Sequence, residues 1–304
     1  MEGHPAAANN PLDRSCICRC PSPGTGTGFK VRFVNPVEAD AHAGRTRAYR
    51  RRMMLYRMEK LIGMSIGATD GEIGKVKDVY FDDRRWAARY LVVDAGGWLE
   101  DRKVLISPIA VSGIDWDKRM VQVRLTREQV KGSPPIDSDK PVSRQYEMEY
   151  FGYYGYPDYL GGSLLWGAMP VPVMPTAVIP AADDALLESA ESRNDPHLRS
   201  AVEVSGYRIL ASDDAIGHLD DFLLDSESWA IHYIVIDTRN WLPGKHVVIP
   251  PRWIKRLEWP ENVVEVDVTR DTVKAAPEYD PKMEFSRAQE ETLYRHYQRP
   301  GYWE

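Results

Sequence analysis

The sequence predicts a mainly β protein: two small, largely antiparallel barrels in tandem, each followed by short helices. Three observations predict it. The stretch 61–159 occurs twice, each copy is a series of short strand-like runs set off by turn residues, and each copy carries a helix-start signal after its last strand. Gly63 falls on Gly206, a shift of 206 − 63 = 143. At that shift, with no gap, Gly74 meets Gly217, Trp86 meets Trp229, Asp94 meets Asp237, Pro108 meets Pro251 and Trp116 meets Trp259. The register persists through Ser143-Arg144 on Ser286-Arg287, Glu147 on Glu290, Tyr154 on Tyr297 and Tyr159 on Tyr302. About a third of the aligned positions are identical, which marks one structural unit duplicated.

Within the first copy, Leu61–Thr69 opens the unit and Asp70-Gly71 is a turn, because glycine accepts positive φ at low cost. Ile73–Phe81 is a strand and Asp82-Asp83-Arg84 the next turn. Trp86–Asp94 is the strongest strand, repeated as Trp229–Asp237. Its alternation places Trp86, Ala88, Tyr90 and Val92 on one face and Ala87, Arg89, Leu91 and Val93 on the other. The second half is apolar on both faces, as in a strand covered on both sides. Lys103–Ile106, Val111–Trp116 and Met120–Leu125 complete a set of short, closely spaced strands that suits a small barrel. Thr126-Arg-Glu-Gln129 and Ser286-Arg-Ala-Gln289 have the capping-box form of a helix start.

The 304 residues match about two domains by length. Apolar residues are 43% and charged residues 28%, which is ordinary for a globular chain. The net charge of −6 is uneven. Residues 1–52 hold nine Lys/Arg and four Asp/Glu, leaving 39 − 9 = 30 basic and 45 − 4 = 41 acidic residues elsewhere. That acidic remainder argues against a broad phosphate-binding surface. Cys16, Cys18 and Cys20 are the three cysteines, so neither copy can hold a disulfide, which suits the cytoplasm. No run of about 18 apolar residues is present, and no transmembrane helix is expected.

Residues 1–57 read as an irregular, dispensable extension, rich in Gly, Pro and Thr and closing on the basic run Arg45–Arg52. The Gly24–Gly28 run is not a phosphate loop, since no Gly-Lys-Ser/Thr follows it. The first domain is expected over 58–159, an irregular linker over 160–197 and the second domain over 198–304.

The order Gly63 … Asp70-Gly-Glu-Ile-Gly74 … Asp82 … Trp86 … Tyr90-Leu-Val-Val-Asp94 … Val104-Leu-Ile-Ser-Pro108 resembles PRC-barrel domains. The second copy repeats it as Gly206 … Ile216-Gly217 … Tyr233-Ile-Val-Ile-Asp237 … Val247-Val-Ile-Pro-Pro251. This family includes the cytoplasmic barrel of the photosynthetic reaction-centre H subunit and the C-terminal barrel of the ribosome maturation factor RimM. The chain is similar to free-standing tandem members of bacteria. The resemblance implies a small PRC-type β-barrel used to contact other proteins, and no common catalytic residues.

Several residue sets can carry chemistry. Cys16-Ile-Cys-Arg-Cys20 has thiolates for a soft metal but wrong spacing and no clear fourth ligand. Asp70, Asp78, Asp82 and Asp94 recur as Asp213, Asp221, Asp225 and Asp237. Paired carboxylates can do acid–base work or bind a cation, yet Asp at strand ends more simply caps its own turn. His218, His232 and His246 occur in the second copy alone, opposite Lys75, Arg89 and Lys103; a histidine cluster can sense pH or hold a metal, and replacement of bases by His more simply reads as a solvated face. The aromatic tails 146–159 and 294–303 can pack internally or meet a partner. The outward apolar residues Leu91, Val93, Ile234 and Ile236 need a cover, and the opposite copy in a pseudo-two-fold pairing is the expected one. The candidate interaction surface is therefore Leu91, Val93, Ile234, Ile236, Tyr150, Tyr153, Tyr154, Tyr294 and Tyr297.

These readings converge on a non-enzymatic, cytoplasmic protein-interaction module with no cofactor or bound metal. Its protein partner is not named by the sequence, and a homo-oligomer is one option. Two alternatives stay open: RNA or ribosome-associated binding through the basic arm, and a small metal-dependent enzyme using the repeated Asp positions.

Overall fold

The strands form as two seven-stranded sheets, one more strand in each than the six that one copy contributes. The computed structural model describes residues 54–99, 102–134, 136, 142, 144–157, 159, 164–167, 169–174, 197–238, 245–258 and 261–303. All of them fall in one unit, Arg52–Glu304. Residues 1–53 of the extension expected over 1–57, with its cysteines and basic run, lie outside the described residues, as does most of the expected linker.

The first copy runs β1 (Leu55–Arg57), β2 (Ser65–Ala68), β3 (Gly71–Asp82), β4 (Ala87–Asp94), β5 (Lys103–Ile106), β6 (Val111–Asp115), β7 (Met120–Val123), α1 (Arg127–Lys131) and α2 (Arg144–Tyr154). The second runs β8 (Leu198–Ser200), α3 (Ala201–Val204), β9 (Arg208–Leu210), β10 (Ala215–Asp225), β11 (Ile231–Asp237), β12 (His246–Ile249), β13 (Ile254–Glu258), β14 (Val263–Val266), α4 (Arg270–Ala275) and α5 (Arg287–His296). The sheet orders are β5-β4-β3-β2-β7-β6 and β12-β11-β10-β9-β14-β13. Ladders among the described residues are antiparallel except β2–β7 and β9–β14.

The seventh strand of each sheet comes from the other copy. β1 pairs with β10 of the second copy, Leu55 opposite Asp225, and β8 pairs with β3 of the first, Leu198 opposite Asp82. These two pairings are equivalent under the 143-residue shift. The boundary expected at residue 57 therefore falls one strand too late: Leu55–Arg57 belongs to the folded unit. Long β3 and β10 can hold three partners each because register shifts bend them, as between Val76 and Asp78 and between Tyr80 and Phe81.

At the centre of the exchange Ala87 bridges Ala230. The Ala88 amide donates to the Trp229 carbonyl at 2.9 Å, and the Ile231 amide to the Trp86 carbonyl at 2.7 Å. Equivalent atoms thus bond each other across a pseudo-two-fold axis. Phe81 packs on Phe222 across it, with ring centroids 5.0 Å apart. Trp86 and Trp229 occupy equivalent turn positions, both with positive φ, 51° and 60°. Trp229 is buried and Trp86 half-buried.

The pairing between copies is as expected in symmetry but not in residues. Ile234 lies with Leu219, Phe222 and Val264 around a small apolar cavity that Phe81 and Trp86 close from the other copy. It faces the interior of its own sheet, and Leu91, equivalent and fully buried, takes the same face. The outward residue is the neighbouring tyrosine, Tyr90 or Tyr233, covered by the tail helix.

The helix starts are as the sequence predicts. The Thr126 amide donates to the Gln129 side chain at 2.9 Å and the Gln129 amide to the Thr126 hydroxyl at 3.2 Å. The Ser286 amide likewise donates to Gln129's counterpart, Gln289, at 2.7 Å. No helix among the described residues is long and apolar enough to cross a membrane.

Candidate functional site

Each tail helix sits on its sheet through a buried glutamate. Glu147 on α2 shares a helix face with Tyr150, Phe151 and Tyr154, three, four and seven residues on, so it is carried inward with the aromatics. It is fully buried. The Tyr90 hydroxyl donates to Glu147 Oε1 at 3.0 Å, and the Tyr159 hydroxyl donates to the same oxygen. His197 Nε2 lies 3.2 Å from Glu147 Oε2. In the second copy Glu290 on α5 accepts from the Tyr233 hydroxyl at 2.7 Å and from Tyr302 at 3.1 Å. Burial together with the adjacent carboxylate pushes the Tyr90 hydroxyl well above its ordinary range, so it stays a donor. The glutamates were legible as a repeated pair, Glu147 on Glu290, yet nothing local in the sequence marked them as buried.

Beside this seat the two copies diverge. The register shift between Tyr80 and Phe81 leaves Arg89 as an extra residue of β4. Its guanidinium lies over Tyr159 at 3.9 Å and Trp166 at 4.6 Å, with Asp82 Oδ2 at 3.5 Å. Burial pushes its pKa down, partly offset by these neighbours. His232 takes the equivalent place, half-buried beside Tyr302, where loss of solvent pushes its imidazole down and favours the neutral ring. Arg287 answers for the missing guanidinium, bonding Glu290 at 3.0 Å and lying 3.5 Å over Trp303.

Of the expected interaction residues, Leu91, Val93, Ile234, Ile236, Tyr150, Tyr294 and Tyr297 are buried and Tyr154 is half-buried. Tyr153 is exposed, its hydroxyl donating to the Gln129 carbonyl at 2.8 Å. The set is not one surface. It is divided between two barrel interiors and two helix seats.

The repeated aspartates cap and anchor. Asp82 Oδ1 accepts from the amides of Arg84 and Arg85, both at 2.9 Å, and Asp225 caps the equivalent turn. Asp70 and Asp213 accept from the Arg127 and Arg270 amides at the first turns of α1 and α4, each at 2.8 Å. Asp78 and Asp221 hold the exchanged strands. Asp78 accepts from the Ser200 hydroxyl and from the Val202 amide at 3.2 Å. Asp221 accepts from Arg57 Nε at 2.8 Å and the Glu59 amide at 3.2 Å. Burial raises both carboxyls, Asp221 to about 6, against the hydrogen bonds that lower them.

The Asp78 shift has a sign. A carboxyl raised on folding binds its proton better in the native state. Its stabilising share is complete below the ordinary carboxylate range, near pH 4, and is lost as pH rises through the raised folded value. Asp78→Asn removes that titration. The stability of wild type minus that of Asp78→Asn, from urea unfolding, is expected to fall between pH 4 and pH 7. A difference that rises over this range contradicts the burial argument.

His218, His232 and His246 do not gather into one group. His232 lies under the second tail, and His218 pairs with Asp237 across β10–β11. His246 Nε2 approaches Asp220 Oδ2 at 3.6 Å beside Asp237.

The decisive comparison bears on the first copy. Residues 53–130 match the family model of the PRC-barrel domain. The PRC-barrel match takes in β1 to β7 and most of α1, including Leu55–Arg57. A protein of Deinococcus radiodurans described as an uncharacterized protein is similar, 30% identical over 79 residues. That stretch is 26% of this chain and 28% of the relative, so the chain spans little more than a quarter of the relative's length. Outside that match, the second copy repeats the strand order of the first.

Proposed function

We propose that the protein is a non-enzymatic protein-interaction module working in the cytoplasm, its partner docking on the first tail helix. One observation carries this reading. On α2 the outward face presents Met148, 68% exposed, and Tyr153, 45% exposed, with Gly152 between them. The equivalent places on α5 are Glu291, Arg295 and His296. One copy keeps a polar helix face for water, and the other sets Met148, Gly152 and Tyr153 there beside exposed Glu149. A glycine in an exposed helix costs about 1 kcal/mol against alanine. Here it leaves a flat spot where a partner can approach closely, and a Cβ at Gly152 would meet nothing within 4 Å.

That space makes a clean test. Met148→Glu with Gly152→Glu adds two charges to the face and removes no buried contact. Affinity capture from native lysate is expected to retain a protein on wild type and lose it at least tenfold on this variant. The control pair Glu291→Lys and Arg295→Glu on α5 is expected to retain it. Equal retention by all three overturns the reading. So does recovery of RNA alone with a steep salt dependence, the mark of phosphate contacts.

A further inference from the structure

The second copy gathers three metal-ligating side chains where the first copy has one. β11 lies between β10 and β12 in the sheet. Asp237 at the end of β11 pairs with His246 at the head of β12, and Asp220 comes in from β10. One ligand atom from each of the three lies within 4.8 Å of the other two. His246 Nε2 and Asp220 Oδ2 are 3.6 Å apart. Around a tetrahedral zinc with bonds of about 2.0–2.1 Å, neighbouring ligand atoms stand about 3.4 Å apart. That pair is already near the required spacing. All three residues are half-buried, so an ion can enter from solvent and keep open positions.

The first copy shows what the place demands. Its equivalent residues are Lys77, Asp94 and Lys103. Lys77 Nζ lies 3.6 Å from Asp94, a built-in cation against the strand-end carboxylate. In the second copy a further carboxylate replaces that ammonium and an imidazole replaces Lys103. Arg57 comes in from the exchanged strand, with Asp220 at 2.8 Å, Asp221 at 2.8 Å and Glu59 at 3.1 Å. One guanidinium shared among three carboxylates, with Asp237 beside them, leaves the patch acidic.

We propose that Asp220, Asp237 and His246 bind a divalent transition-metal cation of the zinc class, with water in the remaining positions. Two carboxylates and one imidazole suit such an ion. Magnesium and calcium prefer all-oxygen sets. The ion takes the role that the Lys77 ammonium plays in the first copy, and it sits next to Arg57, where the exchanged strand enters the second sheet.

The test uses the full chain with Cys16, Cys18 and Cys20 changed to Ser, so that thiolates do not compete, after stripping with a chelator. Calorimetric titration with zinc chloride is expected to give one ion per chain. At about a hundredfold excess over Kd the melting temperature is expected to rise by several degrees. His246→Gln and Asp237→Asn are each expected to weaken binding at least tenfold, with ion-free melting unchanged as the check on folding. His218→Gln, outside the trio, is expected to bind as wild type does. No binding below about 0.1 mM, undiminished affinity in both ligand variants, an equal loss in His218→Gln, or equally tight magnesium binding each overturns the proposal.

Discussion

Gly217→Ala is expected to destabilise the protein by more than 4 kcal/mol, beyond the usual range of point substitutions. Gly217 lies in β10, where the ladder to β9 shifts register between Ala215 and Gly217. Its φ is +142°, a conformation that side chains rarely adopt. A Cβ there would stand 2.1 Å from the Asp237 carbonyl oxygen on β11. The obstacle is backbone inside a sheet, so no rotamer change relieves it. The strands must part, breaking ladder bonds that are then left buried. Gly74 occupies the equivalent place, with a Cβ 1.9 Å from the Asp94 carbonyl oxygen, and Gly74→Ala is expected to behave alike. Gly113→Ala is the control, because a Cβ there meets nothing within 4 Å. Urea unfolding of the three variants decides the matter. If Gly217→Ala falls within about 1 kcal/mol of Gly113→Ala, the close crossing of β10 and β11 is wrong. Against a typical total of about 5–15 kcal/mol, the expected loss leaves little folded second barrel.

Those glycines were legible, since Gly74 and Gly217 align in the repeat, as were the strands, the Asp82 turn and the capping boxes at Thr126 and Ser286. Local chemistry writes such features into a few adjacent residues. The strand exchange was not legible, for a reason built into duplication. Leu55–Arg57 can pair with residues 80–82 or with 223–225, and the two acceptors are copies of each other. Three residues carry too little pattern to choose between them, so the boundary expected at residue 57 leaves all of β1 outside the first domain. The choice of outward face on β4 and β11 failed for a different reason. Leu91 and Ile234 looked in need of a cover because tyrosine was assigned to the interior. Tyr90 and Tyr233 point outward, where their hydroxyls reach Glu147 and Glu290. A glutamate in a short helix reads as a surface charge unless the hydroxyls it accepts from are known. The Asp220, Asp237 and His246 group was hidden because its members lie on three strands, and the sequence pairing matched each to a Lys or Asp of the first copy rather than to one another.

Cleavage of the chain between residues 175 and 196 is expected to leave two halves that stay bound through size-exclusion chromatography and separate only in denaturant. Each half completes the other's sheet. The first gives β1 to β10 and the second gives β8 to β3. Arg57 bonds Asp221 from one side, and Arg199 bonds Asp83 at 2.8 Å from the other. The two main-chain bonds between Trp86, Ala88, Trp229 and Ile231 lie between these joints, with Phe81 on Phe222 beneath them. Parting the halves would expose those rings and strip buried Asp221 of its guanidinium. Breaking a buried ion pair by removing one partner typically costs about 3–5 kcal/mol. The same arithmetic separates two truncations that differ by four residues. A chain begun at Met54 keeps β1 and is expected to melt as the full chain does. A chain begun at Met58 lacks Leu55, Tyr56 and Arg57 and is expected to lose about 3–5 kcal/mol, centred on the second sheet. The stacking of Tyr56 on Trp116, with centroids 4.1 Å apart, goes with it and loosens the first copy as well. Equal melting of the two truncated chains, or halves that drift apart on cleavage in native buffer, would show that each barrel closes on its own strands.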